Sequence, residues 1–159
     1  MKPHPTLSKP SDAQLAELIL DVVPGQMRLL RAKMRANAEG EFTVPQLRVM
    51  AHVYKGAATA NELASLQGVS LPAISKLVDT LVTKHLLVRE YKEGNRKQVF
   101  LSLSKKGEKR FLEIRKRTEI ELAESYASLS SEQRGSICEG LKALKDFESQ
   151  TFSNQKRGN

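Results

Sequence analysis

Thr59-Ala-Asn-Glu-Leu-Ala-Ser-Leu-Gln-Gly-Val-Ser-Leu-Pro-Ala-Ile-Ser-Lys-Leu-Val-Asp-Thr-Leu81 reads as two short helices and the tight turn between them. Thr59 and Glu62 form a capping box, in which each side chain satisfies a backbone N–H that the first helical turn leaves open. Leu63, Ala64 and Leu66 supply the buried side of this helix, and Gly68 closes it. Ser70 caps the next helix, and Pro72 sits in its first turn, where no intrahelical N–H is needed. Ile74, Leu77, Val78 and Leu81 follow at i, i+3, i+4 and i+7, one apolar stripe on a helix running to about His85. The opposite face carries Pro72, Ala73, Ser75, Lys76, Asp79, Thr80 and Thr83 and is short and polar.

Downstream the period changes. Leu87 to Tyr91 has strand character, Lys92-Glu-Gly-Asn-Arg-Lys97 reads as a polar loop, and Val99, Leu101 and Leu103 alternate onto one face. Two strands around a Gly-containing loop predict a β-hairpin. Upstream, Thr43 and Gln46 form another capping box, with Phe42 and Leu47 as a hydrophobic staple. Leu47, Met50, Ala51 and Tyr54 line that helix until Gly56 stops it. At the N-terminus, Ser11 or Asp12 caps a helix with Leu15, Leu18, Ile19, Val22 and Leu29 on one side. An interior proline removes a hydrogen bond and crowds the preceding turn, so Pro24-Gly25 predicts a kink or break there. Beyond the hairpin, Ser104 caps a long helix to about Ser128. The box Ser130-x-x-Gln133 opens the last helix, striped by Ile137, Cys138, Leu141, Leu144 and Phe147.

The order helix, short helix, helix, hairpin makes a helix-turn-helix with a wing. The fold class is therefore mainly α with a small β-hairpin wing: a winged helix-turn-helix plus a helical dimerisation region. The organisation that follows is a disordered tail (1–10), an N-terminal dimerisation helix (11–38), a winged lobe (43–104), C-terminal dimerisation helices (105–152) and a second disordered tail (153–159).

Composition bounds the function. The 159 residues are 40% apolar and 28% charged, ordinary for a globular domain. No apolar run approaches the roughly 18–20 residues that span a bilayer, and Met1 to Pro10 lacks the apolar segment of a signal peptide. The lone Cys138 permits no internal disulfide, which fits a reducing cytosol, and its place on an apolar stripe reads as a packed, inert thiol. His4, His52 and His85 show no metal-ligand spacing, so neither a metal site nor a cofactor is expected. No nucleophile–base pair or phosphate loop is present, which argues against an enzyme. The formal charge is +8, and the segment from Lys84 to Arg117 holds twelve basic and four acidic residues, the whole of that excess. Such a segment points to a polyanion.

The residues suit duplex DNA. Ser70 and the N-terminus of the second short helix can offer donors to a phosphate. Ser75 and Thr80 hydroxyls can meet phosphates or bases, Lys76 a guanine edge or a phosphate, and Pro72 and Ala73 a thymine methyl. Lys92, Asn95, Arg96 and Lys97 furnish the wing, where Arg96 can enter a narrow minor groove. A winged helix can instead dock on a protein. That alternative, an interaction module without DNA specificity, calls for an apolar or acidic recognition face, and the face here is polar and weakly basic.

Several stretches resemble the MarR family of bacterial regulators. They are Thr43-Val-Pro-Gln-Leu-Arg-Val-Met, Thr59-Ala-Asn-Glu-Leu-Ala, Val69-Ser-Leu-Pro-Ala-Ile-Ser-Lys-Leu-Val-Asp-Thr-Leu, Leu87-Val-Arg-Glu, and Asn95-Arg96-Lys97 leading into Leu101-Ser-Leu-Ser-Lys-Lys-Gly107. The resemblance implies a cytoplasmic homodimer built from the first, fifth and sixth helices. It implies binding to pseudo-palindromic operators, repression, and release by a small, often phenolic, anion at unidentified residues. The chain departs from the family at three places. Asn95-Arg96-Lys97 replaces the frequent Asp-Arg-Arg, His85 stands where a glycine usually ends the recognition helix, and Pro24-Gly25 interrupts a helix that is usually unbroken.

Overall fold

The computed structural model describes residues 10–57, 59–92 and 95–155, without the side chains of 92–98 and 151–155. The elements in chain order are α1 (Asp12–Asn37), α2 (Val44–Tyr54), α3 (Ala60–Gln67), α4 (Leu71–Thr83), β1 (Leu87–Lys92), β2 (Asn95–Leu103), α5 (Lys105–Ser125) and α6 (Ser131–Gln155). The N-terminal tail expected over 1–10 lies almost wholly outside the described residues. At the other end α6 runs to Gln155, past the residue 153 at which the sequence pattern placed a second tail. Packing divides the chain into two units, one ending at Leu122 and the other starting at Ala123.

Local signals set the helix starts. Ser11, Thr43 and Thr59 each close a reciprocal capping box, with Gln14, Gln46 and Glu62 respectively. Of the kink or break expected at Pro24, the break does not occur: α1 is one continuous helix across it. Proline forfeits one hydrogen bond, and the long helical stretches on both sides carry the chain across that gap.

The first unit's core gathers Phe42, Leu47, Val49, Met50, Val53, Leu63, Ile74, Val78, Leu81, Leu86, Leu87, Leu101, Phe111 and Ile114. The apolar stripe of α4 faces it as its spacing requires. α2 is buried on more sides than its spacing suggested. Val49 and Val53 enter the core, while Tyr54 stays partly exposed, its ring centroid 5.4 Å from that of Phe111.

β1 and β2 pair antiparallel, with Leu87 opposite Leu103, Arg89 opposite Leu101 and Tyr91 opposite Val99. The strands are longer than the sequence suggested. Lys92 belongs to β1, and Asn95, Arg96 and Lys97 belong to β2, so the connection is shorter than the expected six-residue loop. An extended backbone tolerates polar residues where the partner strand supplies the ladder, and only the tip needs turn chemistry.

In the second unit, α6 opens on a full box: the Ser130 N–H donates to Gln133 Oε1 at 2.9 Å, and the Gln133 N–H to Ser130 Oγ at 3.1 Å. Ile137, Leu141 and Phe147 of its stripe are exposed. Cys138, which the stripe suggested would be packed, is exposed as well.

Candidate nucleic-acid interface

α4 departs from every other helix at its N-terminus. Ser70 has the extended backbone of an N-cap, but its hydroxyl makes no capping bond. The third helical residue is Ala73, so no side chain reaches back to the Ser70 N–H either, whereas α1, α2 and α3 each have Gln or Glu there. The Leu71 and Ala73 N–H groups therefore face outward beside a free hydroxyl, with the positive end of the helix dipole behind them.

Ser70, Pro72, Ala73 and Lys76 are all exposed around this opening. Among the described residues Lys76 has no ion-pair partner. Ser75 is half-buried and lines a cleft of about 230 Å³ with Ala60, Val78, Arg89, Tyr91, Val99 and Leu101. Thr80 is half-buried too, and its hydroxyl donates to the Lys76 carbonyl at 2.9 Å, which occupies its proton within the helix. Arg89 of β1 forms an ion pair with Asp79 of α4 and so ties the hairpin to that helix. The backbones of Lys92, Asn95, Arg96 and Lys97 lie in that hairpin, and their side chains fall outside the described residues.

The other end of α4 is closed by its own backbone. The Leu86 N–H donates to the Leu81 carbonyl and the His85 N–H to the Val82 carbonyl, both at 2.9 Å, the Schellman arrangement. It requires a left-handed residue, and His85 takes that role at φ +58°. A non-glycine residue therefore takes the left-handed position where the family usually has glycine.

Ser104 then locks this end in place. Its hydroxyl donates to the His85 carbonyl at 2.7 Å and accepts from the Gly107 N–H at 2.9 Å, so one oxygen holds the end of α4 and caps α5. The Ser104 N–H adds a bond to the Leu86 carbonyl at 3.0 Å. Gly107 packs so closely that an added Cβ would lie 2.0 Å from the Leu86 oxygen. Lys84 reaches the Glu41 carbonyl at 2.8 Å and lies over the Phe42 ring.

The basic segment has a second use that its composition hid. Arg110 donates to Glu41 at 2.7 Å and to Glu113 at 3.0 Å, hydrogen bonds that raise its pKa further. Arg117 pairs with Glu39 at 2.7 Å, and Lys33 with Glu121 at 3.5 Å. These pairs bind α5 to α1 and the loop after it, so part of the positive charge holds the scaffold and does not face a partner. His52 is half-buried in α2, and burial, with Arg48 and Lys55 nearby, lowers its pKa. Among the described residues no group of His, Cys, Asp and Glu could hold a metal, and no helix is long and apolar enough to cross a membrane.

Comparisons with known proteins agree with this geometry. The MarR family model matches residues 41–98, from just before α2 into β2. An uncharacterized HTH-type transcriptional regulator of Bacillus subtilis, YfiV, is 26% identical over 105 residues, which are 65% of this chain and 66% of that relative. A MarR family protein from Bacillus stearothermophilus has the same fold, with a TM-score of 0.73 at 21% identity over 89% of this chain and 99% of that one. The transcriptional regulator Tm0710 from Thermotoga maritima superposes with a TM-score of 0.63 at 25% identity, over 88% of this chain and 98% of that one. With α4 open at one end and tied to a hairpin alongside, the chain is similar to the MarR family of winged helix-turn-helix transcriptional regulators, whose model its residues 41–98 match.

Proposed function

We propose that the chain acts in the cytoplasm as a sequence-specific DNA-binding regulator, gripping a pseudo-palindromic operator as a homodimer and repressing until a small anion releases it. The observation that carries this reading is the uncapped N-terminus of α4, exposed beside Pro72, Ala73 and Lys76 when the helices around it are capped. A helix end with free N–H groups suits a phosphate, and the side chains next to it suit base edges. The exposed apolar residues of α1 and α6, among them Leu18 and Leu141, support the homodimer, since surfaces of that kind mark association sites.

Of two clefts among the described residues, the one holding Arg89 suits an anion. The other, about 270 Å³ and bordered by Val53, Tyr54, Leu101, Leu103 and Glu108, has a carboxylate as its only charged wall. An anion beside Ser75 and Arg89 would compete with Asp79 and sit between recognition helix and wing, where it opposes DNA. Neither the polarity of the α4 face nor its open donors favour a protein partner.

Selection of bound sequences from a random duplex pool, at stated salt, tests the reading. We expect an inverted repeat whose affinity falls steeply with added salt. Arg96→Ala should weaken binding evenly across sequences. Recovery of no preferred sequence, or a monomer by sedimentation at working concentration, would reject it. Small aromatic carboxylates titrated onto the bound complex test the release step.

A further inference from the structure

We infer that the entry to the recognition helix is an apolar edge that reads thymine methyl groups, with Val69 and Leu71 as specificity-determining side chains next to Pro72 and Ala73. This rests on the DNA-binding reading above and names what that surface selects. Val69 is 44% exposed and Leu71 43%, and Leu66 at the end of α3 is 47% exposed. Leu71 continues the row of Ile74, Val78 and Leu81 by one turn, yet the core ends at Ile74, which is fully buried. The row therefore runs out of the protein at the end of α4 where the backbone donors are open.

Large apolar side chains at that place gain nothing from a phosphate. Along the major groove the base edges offer polar donors and acceptors, with one apolar group among them, the thymine C5-methyl. Covering a methyl-sized group is worth about fourfold in affinity. The edge thus predicts half-sites that hold thymines under the first turn of α4, beside the base or phosphate that Lys76 meets. Because this gain comes from desolvation and releases no counterions, it should not vary with salt.

The test uses the native full-length chain and the best duplex from the selection. Each thymine is replaced in turn by deoxyuridine, which lacks only the methyl. At one to three positions per half-site we expect about fourfold weaker binding, equal at low and moderate salt. Leu71→Asn should weaken binding to the thymine duplex and abolish the difference between thymine and deoxyuridine at one of those positions, with thermal unfolding unchanged. Specific binding that ignores every deoxyuridine overturns the inference while leaving DNA recognition intact, and assigns these side chains to a protein contact. Full discrimination retained by Leu71→Asn and by Val69→Asn overturns it also. Absence of any preferred duplex removes the underlying reading and this one with it.

Discussion

The two ends of α4 are built on opposite principles. At its start, Ser70 leaves the backbone donors unanswered, and Leu71, Pro72, Ala73 and Lys76 face solvent. At its end both bonds of the Schellman turn are made, His85 is held left-handed, and Ser104 clamps the turn to α5. A reading helix needs both. Unmatched polar groups in a folded chain are groups a ligand can match, and they aim accurately only when the far end cannot move. α3 differs in the same way from the start of α4, since its Thr59–Glu62 box is complete.

The heaviest blow to the locked end is Gly107→Ala. The new Cβ meets backbone, which cannot swing aside, so urea denaturation should show a loss of about 3 kcal/mol or more. At the open end, Lys76→Ala should leave unfolding unchanged, cost about 1–3 kcal/mol in binding the preferred duplex, and relax the base preference seen in a repeated selection. A variant that keeps the full preference would show that the open end is not where sequence is read. Ser104→Ala removes a cap and a clamp together and should destabilise by about 1–2 kcal/mol, with Ser104→Thr recovering most of it in the same denaturation series. The ends are compared most directly by Thr59→Ala and Ser70→Ala. The first should lower stability by about 1 kcal/mol, and the second by a few tenths at most while weakening DNA binding. Equal losses of stability would mean that Ser70 is a working cap. Smallest of all, His85→Gly relieves left-handed strain but adds unfolded-state freedom, so a gain of about 0.5 kcal/mol is expected in thermal unfolding.

Much was legible before any coordinates. The capping boxes at Thr43, Thr59 and Ser130 form as spaced, the apolar stripe of α4 faces the core, and the hairpin lies where the period changes. Each of these is closed by residues three or four apart, or by a strand and its neighbour, so adjacent letters encode it. Ser70 misled for the converse reason: a residue type that caps well was counted as capping, and in the fold its hydroxyl makes no capping bond. Leu66 was read as buried and is half exposed, because a short helix at a turn runs past the edge of the core.

The sequence by itself determined where helices start and stop, which residues form the two short helices and their wing, and that the positive charge is concentrated in one segment. Only the tertiary structure decided how that charge divides between scaffold and surface, with Arg110 meeting Glu41 across 69 positions and Arg117 meeting Glu39 across 78. It also decided that one serine joins the end of α4 to the start of α5, and that the apolar row of α4 emerges from the core at Leu71. Hydrogen bonds that close within a turn depend on neighbours in the chain, whereas ion pairs, clamps and the limits of a core depend on which distant segments arrive at the same place.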